Sequence, residues 1–132
     1  MMNFSQPKWR AIITGASSGI GKNTALAFAK AGIDVALVSR SLERLESVAK
    51  AARETGVESK AYQLDLANLE TVKEEISSIA KDFGAIDILV NNAGMSAPGR
   101  FLDIPKERWH SVLHVNLIAP VELTAHFLPA MI

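Results

Sequence analysis

Short apolar segments alternate with longer amphipathic segments between residues 10 and 91. Three short segments, residues 10–14, 35–39 and 86–91, are largely apolar and are bounded by turn residues. Strands that are covered on both faces, as in a parallel sheet, have this composition. A fourth segment, residues 60–64, is more polar and suits the edge of such a sheet. The alternation predicts four parallel strands separated by helices.

The longer segments, residues 20–31, 42–55 and 69–83, have apolar positions three or four residues apart and charges on the remaining face. This spacing is typical of amphipathic helices. A final helix is predicted from about Pro105, and Pro120 should kink or divide it. The order β-α-β-α-β-α-β predicts an α/β fold with a doubly wound parallel sheet. Candidate N-caps and C-terminal glycines flank the helices: Ser41, Asn68, Gly32, Gly56 and Gly84.

The composition excludes several classes of partner and site. Fourteen basic and fourteen acidic residues cancel, so we expect neither nucleic acid nor an anionic membrane as a partner. The chain has no cysteine, which excludes disulfides, a thiol nucleophile and thiolate metal ligands. It starts without the apolar segment of a signal peptide, and no apolar run approaches a membrane span. We expect a cytoplasmic protein with one domain, residues 1–132, of which residues 1–9 form a leader.

We also expect no metal site. His110 and His114 are four residues apart on the last predicted helix, as in zinc peptidases. Ser111 stands where such a peptidase carries its glutamate, so a polar helix face is the simpler interpretation.

A glycine-rich turn, TGASSGIGK at residues 14–22, joins the first strand to the first helix. A helix N-terminus offers free N–H groups and a partial positive charge, and glycine allows close approach of a diphosphate. The spacing G-x-x-x-G-x-G differs from both the G-x-G-x-x-G fingerprint and the P-loop. The alternative is a plain turn between strand and helix. The residues predicted to bind a cofactor here are Gly15, Ser17, Ser18, Gly19, Ile20 and Gly21.

Ser39 and Arg40 stand at the end of the second strand, about twenty residues further, where a dinucleotide site contacts the adenosine ribose. An acidic residue there would bind the 2′-hydroxyl of NAD. A hydroxyl and a guanidinium instead suit a 2′-phosphate, because arginine offers a charge and a planar set of donors. The alternative is a surface arginine at the start of a solvated helix. We therefore predict NADP(H) as the cofactor.

Four motifs occur in an order that resembles the short-chain dehydrogenase/reductase family. They are TGASSGIG at residues 14–21, the acidic Asp65 after the third strand, NNAG at residues 91–94, and VNLIAP around Asn116. The resemblance covers nearly the whole chain and implies a Rossmann-type fold with strand order 3-2-1-4. It also implies an oxidoreductase that transfers hydride between a small-molecule carbonyl and an alcohol.

The resemblance implies roles for individual residues. Thr14 and the glycine turn would hold the pyrophosphate side of the cofactor. Asp65 and Leu66 would frame the adenine, and Asn116 would hold a bend in the last helix and a water of the proton relay. Three residues would line the end of the fourth strand beside the ribose: Asn92, Ala93 and Gly94.

The family's catalytic serine, tyrosine and lysine have no counterpart in this chain. Its single tyrosine, Tyr62, lies in the predicted third strand, and Leu66 stands where the lysine would be needed. We expect the N-terminal, cofactor-binding part of a longer enzyme, truncated before the fifth strand and inactive alone. The alternative is a catalytically incomplete remnant that binds NADP(H) or a partner. In a full-length enzyme, the last helix would form a homo-oligomer interface.

Overall fold

A four-stranded parallel sheet forms the centre of the computed structural model, which describes residues 7–132. Its strands are β1 (Arg10–Thr14), β2 (Asp34–Ser39), β3 (Ser59–Gln63) and β4 (Ile88–Val90). They lie in the order β3-β2-β1-β4, so the predicted fold class and strand order are confirmed. From β1 the chain adds β2 and then β3 on one side, and β4 follows on the other side of β1. The strand order therefore reverses between β1 and β4. Ligands of open α/β sheets bind at such a reversal, outside the carboxyl ends of the strands.

The two outer strands differ from the two inner ones. Within residues 7–132, β3 pairs only with β2, which agrees with the edge position predicted from its polar composition. The strand β4 is shorter than the predicted segment 86–91, because it pairs with β1 only over Ile88, Leu89 and Val90. Ile86 nevertheless lies in the core, so its apolar character reflects burial outside the strand.

Three amphipathic helices connect the strands: α1 (Gly19–Lys30), α2 (Leu42–Arg53) and α3 (Leu69–Phe83). The predicted N-caps of α2 and α3 are confirmed, since the side chains of Ser41 and Asn68 each accept a hydrogen bond from a first-turn N–H. These bonds satisfy donors that the helix itself leaves without partners.

Alternate residues of the inner strands pack on opposite faces of the sheet. Ile13 and Leu37 belong to one apolar cluster, which contains the buried residues of α1 and α2. Ile12 and Val38 belong to the other, which contains the buried residues of α3 and of the last helix. Helices therefore cover both faces, as the continuous apolar composition of these strands predicts.

The last helical stretch has three parts: α4 (Lys106–Leu113), a π-helical turn (His114–Ile118) and α5 (Ala119–Met131). Pro120 lies in the first turn of α5, directly after the π-helical turn. The backbone is helical on both sides of that turn, so the predicted division of the helix is wrong, and the hydrogen-bond pattern changes instead. Proline has no N–H, and the carbonyl of Asn116, four residues earlier, therefore lacks its α-helical donor. A π-helical turn is one way in which a helix accommodates such a loss.

The stretch Lys106–Met131 is long and apolar enough, by length and composition alone, to cross a membrane. This finding differs from the expectation that no apolar run approaches a membrane span. One such helix is weak evidence, since helices of soluble proteins pass the same test. In this fold Leu123 and Phe127 are buried against the sheet, whereas Leu117 and Val121 are exposed.

Part of the predicted leader contacts the amino edge of the sheet. The carboxylate of Asp34 is buried and accepts from Lys8 Nζ at 2.9 Å and from Arg10 Nη1 at 2.8 Å. It also accepts from the backbone N–H of Glu58 at 2.8 Å. These bonds join β1, β2 and the start of β3. Residues 1–6 of the leader lie outside the described residues.

Candidate functional site

A cleft of about 600 Å³ opens at the carboxyl ends of the strands. Ten of the thirteen predicted cofactor-binding residues line it. Predicted residues in the lining are Gly15, Ser17, Ser18, Ser39, Arg40, Asp65, Leu66, Asn92, Ala93 and Gly94. Lining residues that were not predicted to bind the cofactor are Ser41, Arg44, Leu64, Met95 and Val115. The fold thus brings together segments up to a hundred residues apart, where an open α/β sheet binds its ligands.

Gly15 makes the first sharp turn after β1. Its φ is +65°, and a Cβ added there would lie 2.9 Å from both Asn92 Nδ2 and the Cα of Ala93. Its N–H donates to the carbonyl of Val38 at 2.8 Å. A side chain would therefore be strained and would also displace the end of β4, so glycine is required at this position.

The other two glycines of the turn have different surroundings. Gly21 is buried in α1, and an added Cβ would overlap the carbonyl oxygen of Gly15 and lie 2.5 Å from Asn92 Nδ2. Gly19 has φ +54°, and no described atom lies within 4 Å of the place its Cβ would take. Ile20 beside it is 77% exposed. Gly19, Ile20 and Gly21 lie outside the cleft lining, and their contact with a cofactor stays a prediction.

The N-terminus of α1 faces the cleft through Ser17 and Ser18. Ser18 is the N-cap, but its side chain makes no capping hydrogen bond within residues 7–132. The first turn of α1 contains no acidic residue that could take up its N–H groups or its partial charge. The helix start therefore offers donors and a positive end to an anion.

Thr14 does not face the cleft, which corrects the expectation that it contacts the pyrophosphate side of a cofactor. The residue is 1% exposed. Its hydroxyl oxygen accepts from the N–H groups of Asn92 at 3.1 Å and Ala93 at 2.9 Å. In return, Asn92 Nδ2 donates to the carbonyls of Thr14 at 3.1 Å and Gly15 at 3.3 Å. Thr14 and Asn92 thus fasten the glycine turn to the end of β4.

Two arginines line the side of the cleft formed by the end of β2 and the start of α2. The backbone between them is held by two serines: Ser39 Oγ accepts from the N–H of Ser41 at 3.2 Å, and Ser41 Oγ accepts from that of Arg44 at 3.4 Å. The carbonyl of Arg40 accepts from Gln63 Nε2 at 2.9 Å. Arg44 was not predicted as a site residue, although its position in the first turn of α2 follows from the N-cap at Ser41.

Asp65 and Leu66 line the cleft after β3. Asp65 Oδ1 accepts from the N–H of Ala67 at 2.9 Å, and this bond orients an otherwise exposed carboxylate. Leu66 is buried and packs with the cluster under α3. The pair therefore offers one acceptor and one apolar wall to a ligand.

Asn116 lies outside the cleft lining, in the π-helical turn. Its Nδ2 donates to the carbonyl of Met95 at 2.8 Å, and its Oδ1 accepts from the N–H of the same residue at 2.9 Å. Met95 itself lines the cleft. The predicted association of Asn116 with a bend in the helix agrees with the π-helical turn, and its part in a water relay stays a prediction.

A family model described as short chain dehydrogenase matches residues 10–132. The chain belongs to the short-chain dehydrogenase/reductase family. One of its relatives is the 3-oxoacyl-acyl-carrier-protein reductase FabG of Thermotoga maritima, 36% identical over 121 residues. The match covers 92% of this chain and 49% of that relative. The chain thus spans about half the length of the curated relatives it matches.

Solved structures of short-chain dehydrogenases/reductases have the same fold. The L-sorbose reductase from Gluconobacter frateurii, complexed with NADPH and L-sorbose, is similar with a TM-score of 0.85 and 36% identity over 94% of this chain and 48% of that one. An NAD+-bound xylitol dehydrogenase has a TM-score of 0.81 and 34% identity over 93% of this chain and 48% of that one. Because one structure holds NADPH and the other NAD+, the fold alone does not decide between them.

Tyr62 is not placed for the catalysis that the family resemblance assigns to a tyrosine. It lies in β3 outside the cleft, and its hydroxyl donates to Asp82 Oδ2 at 2.7 Å. Burial raises the pKa of Tyr62, and the hydrogen bond to Asp82 raises it further. A general acid or base works best with a pKa near the operating pH, so these changes make Tyr62 unsuitable.

His110 and His114 do not form a metal site with a third ligand within the described part of the chain. No group of three histidine, cysteine, aspartate or glutamate side chains comes together among residues 7–132. His110 packs against the ring of Trp109 at a centroid distance of 4.7 Å.

Proposed function

We propose that this chain is the NADP(H)-binding domain of an oxidoreductase that transfers hydride between a carbonyl and an alcohol. The observation that carries the proposal is the position of Arg40, which lines one cleft together with Ser39 and the glycine turn. Arginine binds phosphate oxygens with both charge and a planar set of donors. An acidic residue at the same place would favour NAD instead.

The residues of the cleft fit a dinucleotide. The uncapped start of α1 would hold the pyrophosphate, because it offers N–H donors and a positive end. Arg40 and Ser39 would hold the 2′-phosphate, and Asp65 would accept from the adenine amino group. Asn92, whose side chain braces the glycine turn, would keep that turn in place beside the ribose. Bound NADPH would supply the hydride.

The proposed activity needs a proton donor that the cleft does not contain. Arg40, Arg44 and Asp65 are the charged residues of the lining, and none of the residues that line it is a tyrosine, lysine or histidine. The cleft can therefore bind and orient a cofactor, but its own residues do not protonate a carbonyl near neutral pH. This favours cofactor binding without turnover for residues 1–132 by themselves. It also supports the second candidate function, a catalytically incomplete protein that binds NADP(H) or a partner.

Titration of the purified protein with NADPH and with NADH tests the proposal. We expect NADPH to bind at least about tenfold more tightly, since charged hydrogen bonds to the phosphate are worth about 1.5–3 kcal/mol. Arg40→Asp should remove this preference. Lys50→Ala, on the exposed far end of α2, is the matched control and should leave it unchanged. Equal affinities for the two nucleotides would contradict NADP(H) specificity.

A panel of small carbonyl compounds separates the two candidate functions. Oxidation of NADPH by a protein that binds it would support a complete oxidoreductase. Tight binding without oxidation would support the incomplete protein. The same panel with NADP+ and the matching alcohols tests the reverse direction.

We also propose that the last helix mediates self-association. Leu113, Leu117, Val121 and Leu128 are exposed on it, and a surface of this apolar character is unusual unless another surface covers it. Sedimentation compares the oligomeric state of the parent protein with that of Leu117→Glu, and we expect the charged side chain to weaken self-association. A monomeric parent protein would contradict this proposal.

A further inference from the structure

The arginines of this chain divide into two groups by their contacts. Arg40 and Arg44 make no side-chain hydrogen bond or salt bridge within residues 7–132, and both line the cleft. An arginine side chain presents five donors and no acceptor. The guanidinium groups without protein partners among the described residues are thus concentrated at the candidate site. The four arginines that are bonded elsewhere are Arg10, Arg53, Arg100 and Arg108.

Helix stability does not explain the presence of Arg44. Ser41 is the N-cap of α2, which places Arg44 at the third helical position. A cation in the first turn opposes the helix dipole, which favours negative side chains there. A capping box would also place glutamate or glutamine at this position. Arg44 therefore stands where helix formation favours the opposite charge.

The backbone of Arg44 is held by a short chain of hydrogen bonds that begins at the end of β2. Ser39 Oγ binds the N–H of Ser41, and Ser41 Oγ binds the N–H of Arg44. The position of Arg44 is thus fixed relative to Ser39 and Arg40. Asp65 is the acidic residue of the lining, and one of its oxygens is already bonded to the N–H of Ala67.

We propose that Arg44 is a second specificity-determining arginine, which binds the 2′-phosphate of NADP(H) together with Arg40. The inference rests on the proposed NADP(H) binding and adds a residue to it. A phosphate monoester carries a charge of about −1.5 to −2 at pH 7, so two guanidinium groups balance its charge more closely than one does. Both residues line the same cleft, so one phosphate group would have donors from both.

Adenosine 2′,5′-bisphosphate and 5′-AMP are the probes for the test, because they differ in the 2′-phosphate and lack the nicotinamide half. We expect Arg44→Ala to weaken the bisphosphate about tenfold and to change 5′-AMP affinity by less than about twofold. Arg44→Lys should recover part of the loss, since lysine still binds phosphate as a point charge. Lys50→Ala is the control on the same helix, and circular dichroism checks that every variant folds.

The outcomes separate this inference from the proposed function. If the parent protein binds both probes equally, both fail. If the parent prefers the bisphosphate and Arg40→Ala removes the preference while Arg44→Ala keeps it, the proposed function stands and the role of Arg44 is overturned. If Arg44→Ala weakens both probes equally, Arg44 acts on the structure of the cleft, which also overturns its role in specificity.

Discussion

The side chain of Asn116 and the backbone of Met95 form two hydrogen bonds that join the π-helical turn to the loop after β4. Asn116 donates to the Met95 carbonyl at 2.8 Å and accepts from the Met95 N–H at 2.9 Å. Met95 lines the cleft and Asn116 does not. Asn116 is therefore a positioning residue, which acts on the site through the loop it holds.

Replacing Asn116 should release the Met95 amide without unfolding the protein. Asn116→Ala removes both bonds, so amide hydrogen exchange at Met95 should become about tenfold faster. Asn116→Asp keeps the acceptor for the Met95 N–H and should preserve most of the protection. Exchange measured by NMR compares the two variants. If alanine and aspartate give the same rate as asparagine, the paired bonds do not hold this loop.

The hydroxyl of Thr14 should matter more for stability than its methyl group. Thr14→Val leaves the N–H groups of Asn92 and Ala93 without their acceptor, which should lower the free energy of unfolding by about 2 kcal/mol. Thr14→Ser keeps the hydroxyl and should cost about 1 kcal/mol for the lost methyl group. Urea unfolding measures both values. Equal losses would show that packing dominates at this position.

Alanine should be far more damaging at Gly21 than at Gly19. A methyl group on Gly21 would overlap the backbone of Gly15, which should cost about 3 kcal/mol because both elements are held in place. The methyl group on Gly19 meets no described atom, so only its positive φ opposes it, at about 1 kcal/mol. The same unfolding experiment ranks the two variants. The reverse order would contradict the close packing of α1 on the turn.

The free energy of unfolding should decrease as the pH rises above about 10, because Tyr62 then begins to lose its stabilising effect. Burial and the hydrogen bond to Asp82 raise the pKa of Tyr62 above its ordinary value. A group whose pKa rises on folding stabilises the protein fully below its unfolded pKa, about 10, and loses this effect as the pH rises further. Denaturant unfolding at pH values on either side of about 10 should show this loss, and Tyr62→Phe should reduce it. An unchanged pH dependence in the variant would exclude Tyr62 as the cause.

Patterns within short segments predicted the fold well. The apolar strands, the amphipathic helices and the caps at Ser41 and Asn68 depend on neighbouring residues, so they are visible in the sequence. The bounds of β4 were predicted less well, because apolar residues just outside a strand are buried for other reasons. The strand ends where its pairing with β1 ends, and pairing partners are far apart in the chain.

Contacts between distant segments explain most of what the sequence did not reveal about the site. Thr14 looked like part of the glycine turn, but its hydroxyl binds the backbone of residues 78 and 79 positions away. Two hydrogen bonds to Asn116 hold Met95 where it lines the cleft. The spacing of these two residues in the sequence reveals neither the distance between them nor the direction of the Asn116 side chain. Arg44 is different, because its place beside the cleft follows from the N-cap at Ser41. It was overlooked because charged residues in an amphipathic helix are usually solvated.

The π-helical turn His114–Ile118 also changes the angular phase of the last helix. A π-helical turn holds about one residue more than an α-helical turn, so the rows of side chains in α4 do not continue in line along α5. A helical wheel drawn without interruption from residue 106 to residue 131 would therefore misplace the buried face that Leu123 and Phe127 form. Deleting a single residue from this turn would rotate α5 by about 100° about its axis. The extra residue of the π-helical turn thus determines which apolar residues of α5 face the sheet, although the turn itself makes few contacts with the sheet.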